Sequence, residues 1–222
     1  ARRRKAASSK ATWQGLESLE GRMLLNGISP LAVEYGNAIE RISVASNGTQ
    51  GNGASAASAI QPISGDGRYI TFLTSATTFS AIDPNLIPDA YVHDRLTGET
   101  TLLSKNADGD IGNYYTYVAA ISHDGQHVAM QSWASNLVSN DVGGYRDIFL
   151  IAREADTIER ISESPLGASG NNNSDIAAIS GDGQVVAFTS SASNLIAGDT
   201  NSWMDAFVYD ASTGVNERVN LT

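Results

Sequence analysis

Ala178-Ile179-Ser180-Gly181-Asp182-Gly183-Gln184-Val185-Val186-Ala187-Phe188 is the stretch whose reading decides the fold. It is the third of three copies. Ile63-Ser64-Gly65-Asp66-Gly67 leads into Tyr69-Ile70-Thr71-Phe72, and Ile121-Ser122-His123-Asp124-Gly125 leads into His127-Val128-Ala129-Met130. The Asp-Gly pairs lie 58 residues apart at both intervals. The same step links Asp83, Asp141 and Asp199, then Asp89, Asp147 and Asp205, then Tyr91, Phe149 and Phe207. Repeat ends align at Arg41-Ile42-Ser43, Leu102-Leu103-Ser104, Arg160-Ile161-Ser162 and Arg218-Val219-Asn220. The first interval carries three extra residues before Ile63. Lengthening a loop by that much costs only about 0.1 kcal/mol of closure entropy, so the alignment stands.

Each copy reads as four short strands. In the third they fall near 175–180, 185–190, 205–210 and 216–220. Ser-x-Asp-Gly joins the first two as a tight hairpin, because Gly accepts positive φ and Asp tolerates it. Thr-Gly at 97–98 and 213–214 marks the last turn, where the second copy has Ala155-Asp156. In the second strand one face is large (Ile70 and Phe72, Val128 and Met130, Val186 and Phe188). The other is small (Thr71, Ala129, Ala187). A strand apolar on both faces is sandwiched between neighbouring sheets. Four strands per unit and several units in series predict an all-β chain of β-propeller blades.

The boundaries follow from the repeat. Residues 1–27 form a leading segment and 28–222 the blades: a partial blade at 28–43, blade 1 at 44–104, blade 2 at 105–162 and blade 3 at 163–222. Leu31–Tyr35 and Ile39–Ser43 read as the last two strands of the partial blade. Closed propellers typically hold four to eight blades, so the array is expected to be a fragment of a larger propeller or to be completed by self-association.

Charge divides the chain at the same place. Residues 1–27 carry six basic and two acidic side chains, net +4, and the remainder eight basic and 22 acidic, net −14. The leader reads either as a basic tail or as a targeting segment with a short amphipathic helix through Trp13, Leu16, Leu19, Met23 and Leu24. The acidic balance, net −10 over 222 residues, argues against nucleic-acid binding. The absence of cysteine excludes disulfides, Cys-ligated zinc and a thiol nucleophile. No apolar run is long enough for a transmembrane helix.

With these residues in hand, the third copy resembles the bacterial WD40-like repeat related to the TolB propeller. The likeness runs through Ala178–Gly183, Val186-Ala187-Phe188, Ser193-Asn194-Leu195, Gly198-Asp199-Thr200-Asn201 and Asp205-Ala206-Phe207-Val208. Copy one departs at Thr77-Thr78-Phe79, and copy two has Val142-Gly143 in place of Thr-Asn. The segment Leu16–Leu25 is similar to the Leu-Glu-x-Arg-x-Leu-Leu segment that heads large bacterial surface proteins. The resemblance implies an exported, extracellular or cell-surface module for protein or glycan interaction. The alternatives are part of an envelope enzyme, a lyase or hydrolase with its catalytic residues outside this chain, or a structural spacer.

The residues offer few chemical handles. The loop between the second and third strands reads Asp83-Pro84-Asn85-x₃-Asp89, Asp141-Val142-Gly143-x₃-Asp147 and Asp199-Thr200-Asn201-x₃-Asp205. Its carboxylates and amides are candidate ligands for Ca²⁺, with an affinity on the order of 10⁻⁴–10⁻³ M. The other reading is that these side chains cap the loops by bonding to backbone N–H groups. Asn106–Gly112 resembles half of an EF-hand loop, but position twelve is Tyr117 and strands flank it. Gly51-Asn52-Gly53-Ala54-Ser55-Ala56 fits a dinucleotide fingerprint only superficially, because no crossover helix follows. His93, His123 and His127 have no carboxylate cluster beside them in sequence, and no hydrolase or NTPase motif occurs. Trp133, Trp203 and Tyr145 are loop aromatics suited to gripping a sugar or a protein.

Overall fold

The computed structural model describes residues 39–57, 60–201 and 203–220. The leader at 1–27 and the strand expected at 31–35 lie outside them. Among the described residues, twelve strands form three antiparallel four-stranded sheets, each in sequential order. Blade 1 holds β1 (Ser55–Ala57), β2 (Tyr69–Thr74), β3 (Asp89–Asp94) and β4 (Glu99–Leu102). Blade 2 holds β5 (Thr116–Ile121), β6 (His127–Ser132), β7 (Asp147–Ala152) and β8 (Thr157–Arg160). Blade 3 holds β9 (Ser174–Ile179), β10 (Val185–Ser190), β11 (Asp205–Asp210) and β12 (Val215–Arg218). The expected strand at Ile39–Ser43 is irregular, and the chain first pairs through an isolated bridge from Val44 to Gln50. A strand persists only where a partner takes its hydrogen bonds, and the partner expected for 39–43 falls outside the described residues.

The Ser-x-Asp-Gly turns are built alike. The hydroxyls of Ser64, Ser122 and Ser180 donate to Asp66, Asp124 and Asp182 at 2.6, 2.5 and 2.5 Å. The same aspartates accept the amides of Arg68, Gln126 and Gln184, and the serines accept those of Tyr69, His127 and Val185. The turn glycines Gly67, Gly125 and Gly183 have φ of +71, +72 and +74°, where a Cβ is strained. At the last turn of blade 2, Asp156 takes φ +50° in the place of Gly98 and Gly214.

Packing between blades explains the two-faced strands. Ala90 and Val92 of blade 1 pack with Val128, Met130, Phe149 and Ile151 of blade 2. Ala129, Ile148 and Leu150 on the opposite face of blade 2 pack with Val186, Phe188 and Phe207 of blade 3. The large face of each blade thus meets the smaller face of the one before it. Each of these Val, Leu, Ile, Phe and Met side chains, fully buried, contributes about 1.5–3 kcal/mol. Inner strands also join neighbouring blades: Ile121 donates to Gln61 O at 2.9 Å and His123 to Gly181 O at 2.8 Å.

Candidate functional site

In every blade the chain between the second and third strands and the chain entering the first strand lie at the same end of the sheet, because the strands alternate in direction. Two features occupy this end. One recurs in all blades, and the other belongs to blade 2.

The recurring feature is the aspartate pair. Asp83 and Asp89, Asp141 and Asp147, and Asp199 and Asp205 are each brought together as buried carboxylates, and the repeat supplies different partners. In blade 1, Tyr91 Oη donates to Asp83 at 3.1 Å and Ser104 Oγ to Asp89 at 2.7 Å. Leu102 stands where the other copies have arginine, and Oδ2 of Asp89 has no hydrogen-bond partner. Burial, reinforced by the Asp83 charge, pushes the Asp89 carboxyl up to about 7. In blade 2, the Arg160 guanidinium lies 3.7 Å from Asp141 and 3.5 Å from Glu163. Asp147 accepts from Ser162 Oγ at 2.5 Å, and burial with the nearby Asp141 charge raises it to about 7. In blade 3, Arg218 reaches both acids, Asp199 at 3.1 Å and Asp205 at 3.3 Å. Asn220 and Asn201 add amide donors to Asp205, and these bonds with Arg218 hold its carboxyl below the usual value.

The oxygens expected to hold Ca²⁺ also carry local partners. The ion wants six to eight oxygens. Asn85 Oδ1 already accepts Ile87 N at 2.7 Å, and Asn201 Oδ1 accepts Trp203 N at 2.9 Å. In blades 2 and 3 an arginine stands in the counter-ion position. Among the described residues no group of three or more His, Cys, Asp or Glu gathers. The geometry fits loop capping and charge compensation.

The other motifs also have local roles. Asn106 Oδ1 accepts the amides of Asp108 and Asp110 at 3.0 and 2.8 Å, which closes a hairpin loop between bridged Lys105 and Ile111. Asn52 of the glycine-rich stretch is tied to Thr77 and Thr78, and β1 follows it. In blades 2 and 3, Asn113 and Asn171 make the matching bonds to Ser135-Asn136 and Ser193-Asn194. The Ser-Asn-Leu signature is therefore a clamp on the chain entering blades 2 and 3, and Thr77-Thr78 takes its place in blade 1. His93 is buried against Thr100 Oγ1 at 2.9 Å, and burial lowers its pKa. The His123 and His127 rings fill the space where Gly65 and Gly181–Gly183 turns carry no Cβ.

The feature found in blade 2 alone is an aromatic pocket. Tyr114, Tyr115, Tyr117, Trp133 and Gly144 line a cavity of about 550 Å³. Two further clefts, of about 310 and 450 Å³, lie between the outer strands of adjacent blades and have mixed linings. Tyr114 and Tyr115 meet edge to face at 5.0 Å, and Tyr117 and Trp133 at 5.9 Å. The Arg146 guanidinium lies 4.9 Å from the Trp133 ring centroid and pairs with Asp175 of blade 3 at 2.7 Å. Of the loop aromatics singled out in the sequence, only Trp133 lines the pocket. Trp203 is 76% exposed elsewhere, and Tyr145 packs against Gly143. The three tyrosines were missed. Their signal lies in the repeat itself: strand register sets them against Asn172, Asn173 and Asp175 in blade 3 and Gly53, Ala54 and Ala56 in blade 1.

Comparison with known proteins fits this architecture. No protein-family model and no curated protein matches the chain. It is similar to solved structures assigned to TolB from Agrobacterium tumefaciens (18% identity, TM-score 0.46) and Acinetobacter baumannii (17%, 0.43). It is also similar to the β-propeller domain of the trilobed protease from Pyrococcus furiosus (10%, 0.43). These structures are β-propellers. The alignments cover 72, 77 and 75% of this chain but only 45, 33 and 42% of theirs, so the chain spans less than half their length. Among the described residues no helix is long and apolar enough to cross a membrane.

Proposed function

We propose that the chain is a non-enzymatic, exported propeller module that recognises a protein or glycan through the blade 2 pocket. The observation that carries this reading is the confinement of four clustered aromatics to one blade of an otherwise regular array. Exposed aromatics are costly to leave in water and serve recognition well, since they offer large rigid surface with few rotatable bonds. The pocket lining is three tyrosines, a tryptophan and a glycine, a set suited to contact with a bound partner. Placement at the cell surface is supported by the likeness of residues 16–25 to surface-protein leaders.

The test is an array of envelope polysaccharides and peptides probed with the chain and with a Tyr114→Ala/Tyr117→Ala/Trp133→Ala variant of unchanged circular dichroism. The reading expects captured probes that the variant no longer holds. Capture that survives the substitutions places recognition elsewhere, and chemical conversion of a captured probe makes the chain an enzyme.

A further inference from the structure

The blade 2 pocket also defines the chemistry of its occupant. We propose that it is a subsite for a neutral sugar ring, a pyranose unit of a glycan; this rests on the recognition reading above.

Charge narrows the choice. No carboxylate lines the pocket, so a cationic ligand finds no counter-ion there, and Arg146 already takes up a position over the Trp133 ring. The cation beside it, Arg146, is paired with Asp175 of blade 3, so an anionic ligand finds no unpaired counter-ion in the field of a chain with net charge −10. What remains is a neutral ligand that is apolar on its faces and polar at its rim. The aromatic walls present π faces with negative potential, which suit the slightly positive C–H face of a pyranose. Three tyrosine hydroxyls supply donors and acceptors for its hydroxyl groups.

Size points the same way. A cavity of about 550 Å³ lies in the range of small-ligand clefts. A stable protein interface engages roughly 20–30 residues a side, far more than this patch supplies. The site is also held ready. Arg146 stacks on Trp133 while its Nη2 pairs with Asp175 at 2.7 Å and its Nε donates to Ser174 O at 3.2 Å. The platform is thus fixed by the neighbouring blade, which lowers the ordering cost of binding.

The experiment is a calorimetric titration of the whole chain with cellotetraose, mannotetraose and chitotetraose. Tetragalacturonate serves as the anionic comparison and a trimethyl-lysine peptide as the cationic one. At least one neutral tetrasaccharide is expected to saturate the chain. Tyr117→Ala and Trp133→Ala should each weaken it by about tenfold or more. Tyr117→Phe, which keeps the ring, should stay within about threefold and controls for folding. Absence of binding by all three neutral sugars, preference for either charged probe, or affinity unchanged in Tyr117→Ala overturns the assignment. If array peptides bind in a pocket-dependent way while the sugars do not, the sugar assignment falls and the recognition reading stands. If nothing depends on the pocket, both fall.

Discussion

Blade 1 and blade 3 carry the same two aspartates at the same repeat positions and compensate them in opposite ways. Asp83 and Asp89 have hydroxyl donors and Leu102 beside them, while Asp199 and Asp205 share the Arg218 guanidinium. Blade 2 lies between, with Arg160 near Asp141 and beyond ion-pair reach of Asp147. The ionisation separates blade 3 from the other two: Asp89 and Asp147 are both raised to about 7 and Asp205 is lowered. A repeat position can therefore preserve its acid for shape while its charge state is set by the donors gathered around it, Asn220, Asn201 and Arg218 in blade 3.

Removing the counter-ion breaks the comparison hardest in blade 3. Arg218→Leu leaves two buried carboxylates without a cation, and urea unfolding should show a loss of about 3–5 kcal/mol. Arg160→Leu removes the longer contacts to Asp141 and to the partly exposed Glu163, and the same measurement should give about 1.5–3 kcal/mol. Equal losses would mean that reach to the second aspartate does not matter.

The pH profile sharpens the contrast. A carboxyl whose folded value is raised stabilises fully below its unfolded value near 4, and that contribution is lost as pH climbs through about 7. Melting curves should therefore lose stability between about pH 4 and 7, and Asp89→Asn should flatten part of that slope by a few kcal/mol. A substitution at Asp205, whose carboxyl is lowered, should leave that window unchanged and act instead at more acidic pH. The smallest effect is expected from metal. Adding about 5 mM calcium should leave the melting temperature unchanged, because these carboxylates already have hydroxyl, amide or guanidinium groups on one oxygen and few further oxygens converge on them.

The fold was legible because each blade repeats its own rules. The 58-residue step, the Ser-x-Asp-Gly turn and the large–small alternation at Phe72–Thr71, Met130–Ala129 and Phe188–Ala187 all report backbone and packing needs that are local in sequence. The acid loop was legible as a recurring element, but its chemistry was not. Its counter-ion comes from Arg160 or Arg218, 19 residues after the first aspartate, and a strand pairing decides the contact. The pocket was half legible. Trp133 stood out as a loop aromatic, whereas Tyr117 looked like an ordinary strand residue until pairing with Gln131 placed it beside Trp133.

The central claim is that the acid loop and its counter-ion hold the fold and what blade 2 alone carries serves recognition. Urea unfolding of Arg218→Leu beside Tyr114→Ser/Tyr117→Ser tests it without a ligand. The account predicts a loss of about 3–5 kcal/mol for the arginine and at most about 1.5 kcal/mol for the tyrosine pair. A tyrosine variant as unstable as the arginine variant would contradict it, because the aromatics would then be part of the scaffold.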